Sequence, residues 1–132
     1  MNDPVTMSLR ASLDLRYRRH ELLANNIANA DTRDYQPTDL EFEGALQEEL
    51  GKDFGPLART EAQHLGAGPV ESALENTVQR PDVTDSLDGN GVDTDKEMAR
   101  VAENSLQFKA TLEVLRRRYG IVRQAVSDMS RT

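Results

Sequence analysis

From Met98 to Met129 the apolar positions recur at alternating intervals of three and four residues, through Val101, Ser105, Phe108, Leu112, Leu115, Tyr119, Val122 and Val126. Such a spacing fits an α-helix seated against another helix and fits no strand. The sequence therefore predicts one helix over about residues 95–129, roughly 50 Å long at 1.5 Å per residue. Thr94 with Glu97 fits a capping box, and Asp93 and Asp95 place negative charge at the positive end of the helix dipole.

The same spacing occurs near the N-terminus in Leu9, Leu13, Arg16, His20, Leu23, Ile27 and Ala30, interrupted by two polar residues, and predicts a helix over about residues 7–29. Between the two lies a middle of about residues 30–93. There Thr38 and Glu41 fit a second capping box, and Phe42, Leu46 and Leu50 recur every fourth residue. A short helix over about residues 39–50, closed by Gly51, follows. Gly55, Pro56, Gly66, Gly68, Pro69, Pro81, Gly89 and Gly91 then break the chain into turns and extended pieces, with short strands expected around residues 69–83. The expected fold class is mainly α, a single domain over residues 1–132. Its N- and C-terminal heptad helices form a coiled-coil-like pair or bundle, with an irregular, partly β middle segment.

Neither long helix has only one apolar face. Placed at 100° intervals, Ala110, Val114, Ile121 and Ala125 form a second stripe on the C-terminal helix, roughly opposite the first. On the N-terminal helix Ala11, Leu15 and Leu22 form a second flank that continues into Asn26 and Asn29. A two-helix hairpin buries one face of each helix, so the second stripes need further cover. The middle is acidic and rich in loops, and poorly suited to cover both. Assembly with other chains is the economical solution.

Composition removes several other classes. With 132 residues, the chain makes at most one modest domain. It has no Cys, so it has no disulfide, thiolate metal site or Cys nucleophile. Its charge of −7 divides into +1 over residues 1–30, −12 over residues 31–97 and +4 over residues 98–132. A nucleic-acid binder of this size would show a net basic balance with interleaved aromatics, so no nucleic-acid partner is expected. No apolar run is long enough to span a bilayer, and no transmembrane segment is expected. Residues 1–20 carry Asp3, Arg10, Asp14, Arg16, Arg18 and Arg19 in place of an apolar leader core, so no cleavable secretory signal is expected.

Signals for chemistry are weak. Ser86, Asp88, Asn90, Gly91, Asp93 and Glu97 overlay a calcium loop, but Ser86 stands where the first carboxylate belongs and Asp93 where an apolar residue belongs. The favoured reading is a turn delivering the chain into a capped helix. His20 and His64 show no metal-ligand spacing, and a lone His on a helix seam is more often packed than ligating. There is no phosphate loop, nucleophile motif or carboxylate pair, so no catalytic residues, metal site or cofactor are expected. Arg116, Arg117, Arg118 and Arg123 point in several directions and read as a solvated face or an ion-pair rim between chains.

Residues 22–32 are unusual. Asn25, Asn26 and Asn29 are poor helix-interior residues, because an Asn amide competes for backbone hydrogen bonds. Interleaved with Ile27, Ala28 and Ala30 they allow close backbone approach and offer amide donors and acceptors, which suits a specific helix interface. A frayed helix end fits the segment equally well.

The run Leu23-Ala-Asn-Asn-Ile-Ala-Asn-Ala-Asp-Thr32 with Tyr35 resembles the N-terminal signature of the flagellar basal-body rod proteins. Residues Leu87 to Asn90, Val92, Asp93, Glu97, Met98, Glu103, Asn104 and Leu106 resemble the C-terminal half of the proximal-rod members, and Arg59, Thr60, His64 and Leu65 extend the likeness. Arg33-Asp34 stands where that family usually has Pro-Gly.

The resemblance implies a structural subunit of the proximal rod in the basal body, crossing the periplasm and transmitting torque. It implies self-assembly, contact with other rod proteins and the membrane-ring adaptor, and departure through the flagellar export apparatus without signal cleavage. Together with the stripes, it assigns an assembly interface to Leu23, Asn25, Asn26, Ile27, Asn29, Ala30, Phe108, Leu112, Val114, Leu115, Tyr119, Ile121 and Val122. A soluble coiled-coil adaptor or chaperone is the leading alternative, followed by a small calcium-binding protein.

Overall fold

The computed structural model describes residues 3–53, 77–80 and 91–130. The fold is mainly α, in the order α1 (Pro4–Ala28), β1 (Thr38–Leu40), α2 (Phe42–Asp53), β2 (Thr77–Gln79) and α3 (Thr94–Met129). The long helices α1 and α3 lie against each other as an antiparallel hairpin, with α2 on the outer flank of α1.

Helix α1 starts where Asp3 caps it and Pro4 occupies its first turn, a position where a missing N–H costs nothing. The Asp3 carboxylate accepts from Thr6 N at 3.3 Å and also receives the Arg118 guanidinium. Burial works against the Asp3 charge, but these donors outweigh it and hold the carboxyl below its ordinary value of 3.8. At the other end Asn29 N–H donates to Asn25 O at 3.0 Å, and its side-chain amide reaches the same carbonyl at 2.8 Å. Asn29 is thus a C-cap, which explains one of the three asparagines locally.

Helix α3 is capped by Asp93, whose carboxylate accepts from Asp95 N at 3.1 Å and Lys96 N at 3.3 Å. The Lys96 backbone bond chiefly holds the Asp93 carboxyl below 3.8. Both depressed carboxylates contribute stability present above their ordinary value and lost as pH falls through the lower folded value. The cap lies one residue before the expected Thr94, and Glu97 turns inward instead of closing a capping box.

Helix α2 also departs from expectation. Thr38 is drawn into β1, so Glu41 takes over as cap: its carboxylate accepts from Gly44 N at 2.8 Å and its carbonyl from Ala45 N at 3.1 Å. The helix continues through Gly51 to Asp53. Strands β1 and β2 pair antiparallel, Thr38 opposite Gln79 and Leu40 opposite Thr77, and Arg80 N–H bonds Pro37 O at 3.1 Å. Of the strands expected around residues 69–83, this is the part inside the described residues.

The apolar core is small. Leu15, Leu40 and Ala45 are buried together, with Leu22, Phe42 and Leu46 against them. The second flank of α1 is therefore covered within the chain, by α2 and β1, so the middle segment serves one of the two second stripes expected to need cover. Glu43 of α2 is exposed while Phe42, Ala45 and Leu46 face in, which is what amphipathic spacing permits. Among the described residues no such cover reaches the second stripe of α3, whose Ala110, Val114, Ile121 and Ala125 are exposed.

The turn after α1 carries its one left-handed residue among the described non-glycines, Asp34, at φ 59°. An L-residue is strained there, though Asp tolerates it better than most. Asp34→Gly should raise stability by about 0.5–1 kcal/mol, the relief of strain exceeding the entropy glycine adds to the unfolded chain. Urea unfolding followed by circular dichroism checks this, and a loss of stability would contradict it.

Candidate assembly interface

Asn26 of α1 joins β1 to the start of α3 and is 0% exposed. Its Oδ1 accepts from Thr38 N at 3.0 Å and from the Tyr35 hydroxyl at 3.1 Å. Its Nδ2 donates to Thr38 O at 2.7 Å and to Glu97 Oε2 at 3.0 Å. Every hydrogen-bonding capacity of the amide is used, so its burial carries no unpaired group.

Glu97, 2% exposed, extends the network. Arg80 grips it with both terminal nitrogens, Nη2 at 3.0 Å from Oε2, and Arg100 Nη1 lies 2.8 Å from Oε1. Arg80 Nε stands 3.4 Å from Asp39 Oδ2, within ion-pair reach but poorly directed for a hydrogen bond. Asp39 in turn takes a two-pronged contact from Arg19 at 2.9 and 3.1 Å. The hydrogen bond that Arg19 donates to Asp39 chiefly raises its guanidinium above the usual value. Three guanidinium groups thus surround two carboxylates, tying α1, β1, the residue after β2 and the start of α3 together.

Further along the hairpin Asn104, 1% exposed, donates from Nδ2 to Arg16 O at 2.8 Å. Arg16 itself donates to Gln107 and stacks on the Phe42 ring at 4.4 Å. Burial lowers its guanidinium, with Arg19 adding to the effect. Arg118 binds Asp3 and donates from Nε to Thr6 Oγ1 at 3.2 Å. Arg118 is thereby an intrachain contact, whereas Arg116, Arg117 and Arg123 are exposed.

The expected interface residues divide. Leu23, Asn26 and Leu115 are buried inside the chain, and Asn29 serves the helix end. Ile27, Ala30, Phe108, Leu112 and Val122 are half-buried, and Asn25 is exposed. Val114 at 55%, Ile121 at 66% and Tyr119 at 38% exposure present large apolar surface, together with Met98, Leu106 and Val126. His20 is exposed, lining an open groove of about 210 Å³ beside Tyr17 and Phe108 rather than packing in the seam. From residue 123 to residue 130 every side chain is exposed, because α3 there runs past the start of α1.

Sequence reasoning missed Arg80 and Asn104 as interior residues and Arg118 as a half-buried contact between the helices, and gave Glu97 the wrong task. The available signal was their phase: residues 97, 104 and 118 share a heptad position adjacent to Val101 and Phe108. Arg80 stands in a breaker-rich stretch and gave none.

The calcium reading also changes footing. Glu97, the would-be twelfth ligand, has its carboxylate engaged by two guanidinium groups and an amide, and residues 86–90 lie outside the described residues. Among the described residues no group of three or more His, Asp or Glu is placed to hold a metal. Calorimetric titration with calcium should show no binding tighter than about 1 mM. Dissociation in the micromolar range would overturn this.

No protein-family model matches the chain. Curated relatives do. It is 38% identical over 123 residues to flagellar basal body rod protein FlgB of Escherichia coli strain K12, covering 87% of this chain and 89% of that protein. It is 38% identical over 109 residues to the FlgB of Yersinia enterocolitica, covering 79% and 80%. To the FlgB of Cereibacter sphaeroides strain ATCC 17023 it is 41% identical over 107 residues, 81% of each.

Proposed function

The chain belongs to the FlgB family of flagellar basal body rod proteins, and from that premise we propose that it is a structural subunit of the proximal rod, working by self-assembly and helix packing to transmit torque. The observation that carries the mechanism is the bare second stripe of α3. Val114 and Ile121 stay exposed while the equivalent flank of α1 is covered by α2. A helix with apolar residues on two sides that, among the described residues, packs along one other helix has a face left for a neighbour.

In this reading Val114, Tyr119, Ile121 and Val122, with the exposed end of α3, meet other subunits, and Asn25 lies at the margin. Leu23, Asn26 and Leu115 act indirectly by holding the hairpin in shape. The partners are other copies of the chain, other rod proteins, the ring adaptor and the export apparatus. No helix is long and apolar enough to cross a membrane among the described residues. The role is non-enzymatic, consistent with a buried charge network whose groups are engaged with one another.

The test is recovery. A tagged copy that restores swimming to a null strain should be found in purified basal bodies. Recovery only in soluble fractions, bound to varied client proteins, would favour the chaperone reading instead.

A further inference from the structure

Val101, Phe108, Leu115 and Val122 stand seven residues apart on the inner side of α3. Sliding α1 by one heptad exchanges each apolar neighbour for an equivalent one, so apolar packing leaves the stagger of the hairpin degenerate. Polar contacts do not share this degeneracy. Glu97 meets Asn26, Asn104 meets the Arg16 carbonyl, and Arg118 meets Thr6 and Asp3. At the fourth position of the same phase Thr111 bonds only back to Gln107 O of its own helix, at 2.9 Å. A slip by one heptad would carry Glu97 away from Asn26 and Arg80 and put an amide in the charged pocket. Only Arg100, on the same helix, would stay with it, and a carboxylate stripped of two of its three partners costs far more than an exchanged methyl contact.

We propose that Glu97, Asn104 and Arg118 form a register lock that fixes the stagger of α1 on α3. The lock thereby sets how far the end of α3 projects beyond α1. That projection is the surface offered to a neighbour, a consequence that rests on the assembly reading above. The contacts are specificity devices: with all three replaced by apolar residues the helices would still have a seam to pack on, but the hairpin would populate more than one stagger.

The chain has no Cys, so spin labels can be placed at Val5→Cys and Leu106→Cys alone, both exposed and outside the lock. The full-length parent should give one narrow distance population. The triple variant Glu97→Leu, Asn104→Leu, Arg118→Leu should add a population displaced along the axis by about 10 Å, one heptad of helix. Should the triple variant lose its helical circular dichroism, the milder set Glu97→Gln, Asn104→Leu, Arg118→Leu, which removes the charge but keeps a hydrogen-bonding group at residue 97, is expected to add the same displaced population. An unchanged single distance in these variants, or several distances in the parent, would overturn the lock. Swimming of the same variants scores assembly separately: displaced distances with unimpaired swimming would overturn the link to the projection while leaving the lock.

Discussion

Asn26→Leu should lower the unfolding free energy by about 3–5 kcal/mol, although leucine has nearly the same size and a better helix propensity. The substitution strands the Thr38 N–H, weakens the acceptors at Thr38 O and Glu97, and leaves the Tyr35 hydroxyl without its bond to Asn26. Each buried polar group left unpaired costs about 1–3 kcal/mol. The sum is held down because Arg80 Nη2 still lies 3.4 Å from Thr38 O, and because Arg80 and Arg100 still engage Glu97. A small domain has only about 5–15 kcal/mol in total, so the loss is a large fraction of its stability. Asn25→Leu, one residue away and exposed, should change stability by less than about 0.5 kcal/mol. Urea unfolding of the two variants beside the parent makes the comparison. Equal effects would mean that the Asn-rich segment matters only as a helix end.

That contrast marks where sequence reading reached and where it stopped. The two long helices were legible because a three-and-four spacing over many turns has no other local solution, and α3 follows it at Val101, Phe108, Leu115 and Val122. The helix ends shifted by up to three residues, for α2 and α3 because Glu41 and Asp93 compete with Thr38 and Thr94 for the cap and nearby capping residues are nearly equivalent. The other half of the α3 inner face was not legible: Glu97 and Asn104 are buried, and Arg118 half-buried, because they meet partners 71, 88 and 112 to 115 residues away. Apolar counting assigns such residues to water. For the same reason the Asn-rich segment left two readings open, and both contain part of the answer. Asn29 closes a helix end, while Asn26 is a specific contact directed into the chain's own core.

Ile121→Glu is the sharper test of what the molecule is for, because it separates folding from assembly. Ile121 is 66% exposed in the single chain, so a glutamate there has water around it. In the isolated protein the change should move stability by less than about 0.5 kcal/mol and leave the helical circular dichroism unaltered. In the rod the same side chain would meet a neighbouring subunit, and an unpaired charge in a dry interface costs several kcal/mol at every copy. A null strain carrying Ile121→Glu should therefore make and export the protein yet fail to swim, with no complete rods in electron micrographs. Leu112→Glu, half-buried against the hairpin, should be at least as damaging and should also lower stability. The pair of variants thus distinguishes a face that holds the subunit together from one that holds subunits to each other. Normal swimming with Ile121→Glu would show that the far side of α3 stays in water, and the assembly mechanism would lose the surface it depends on.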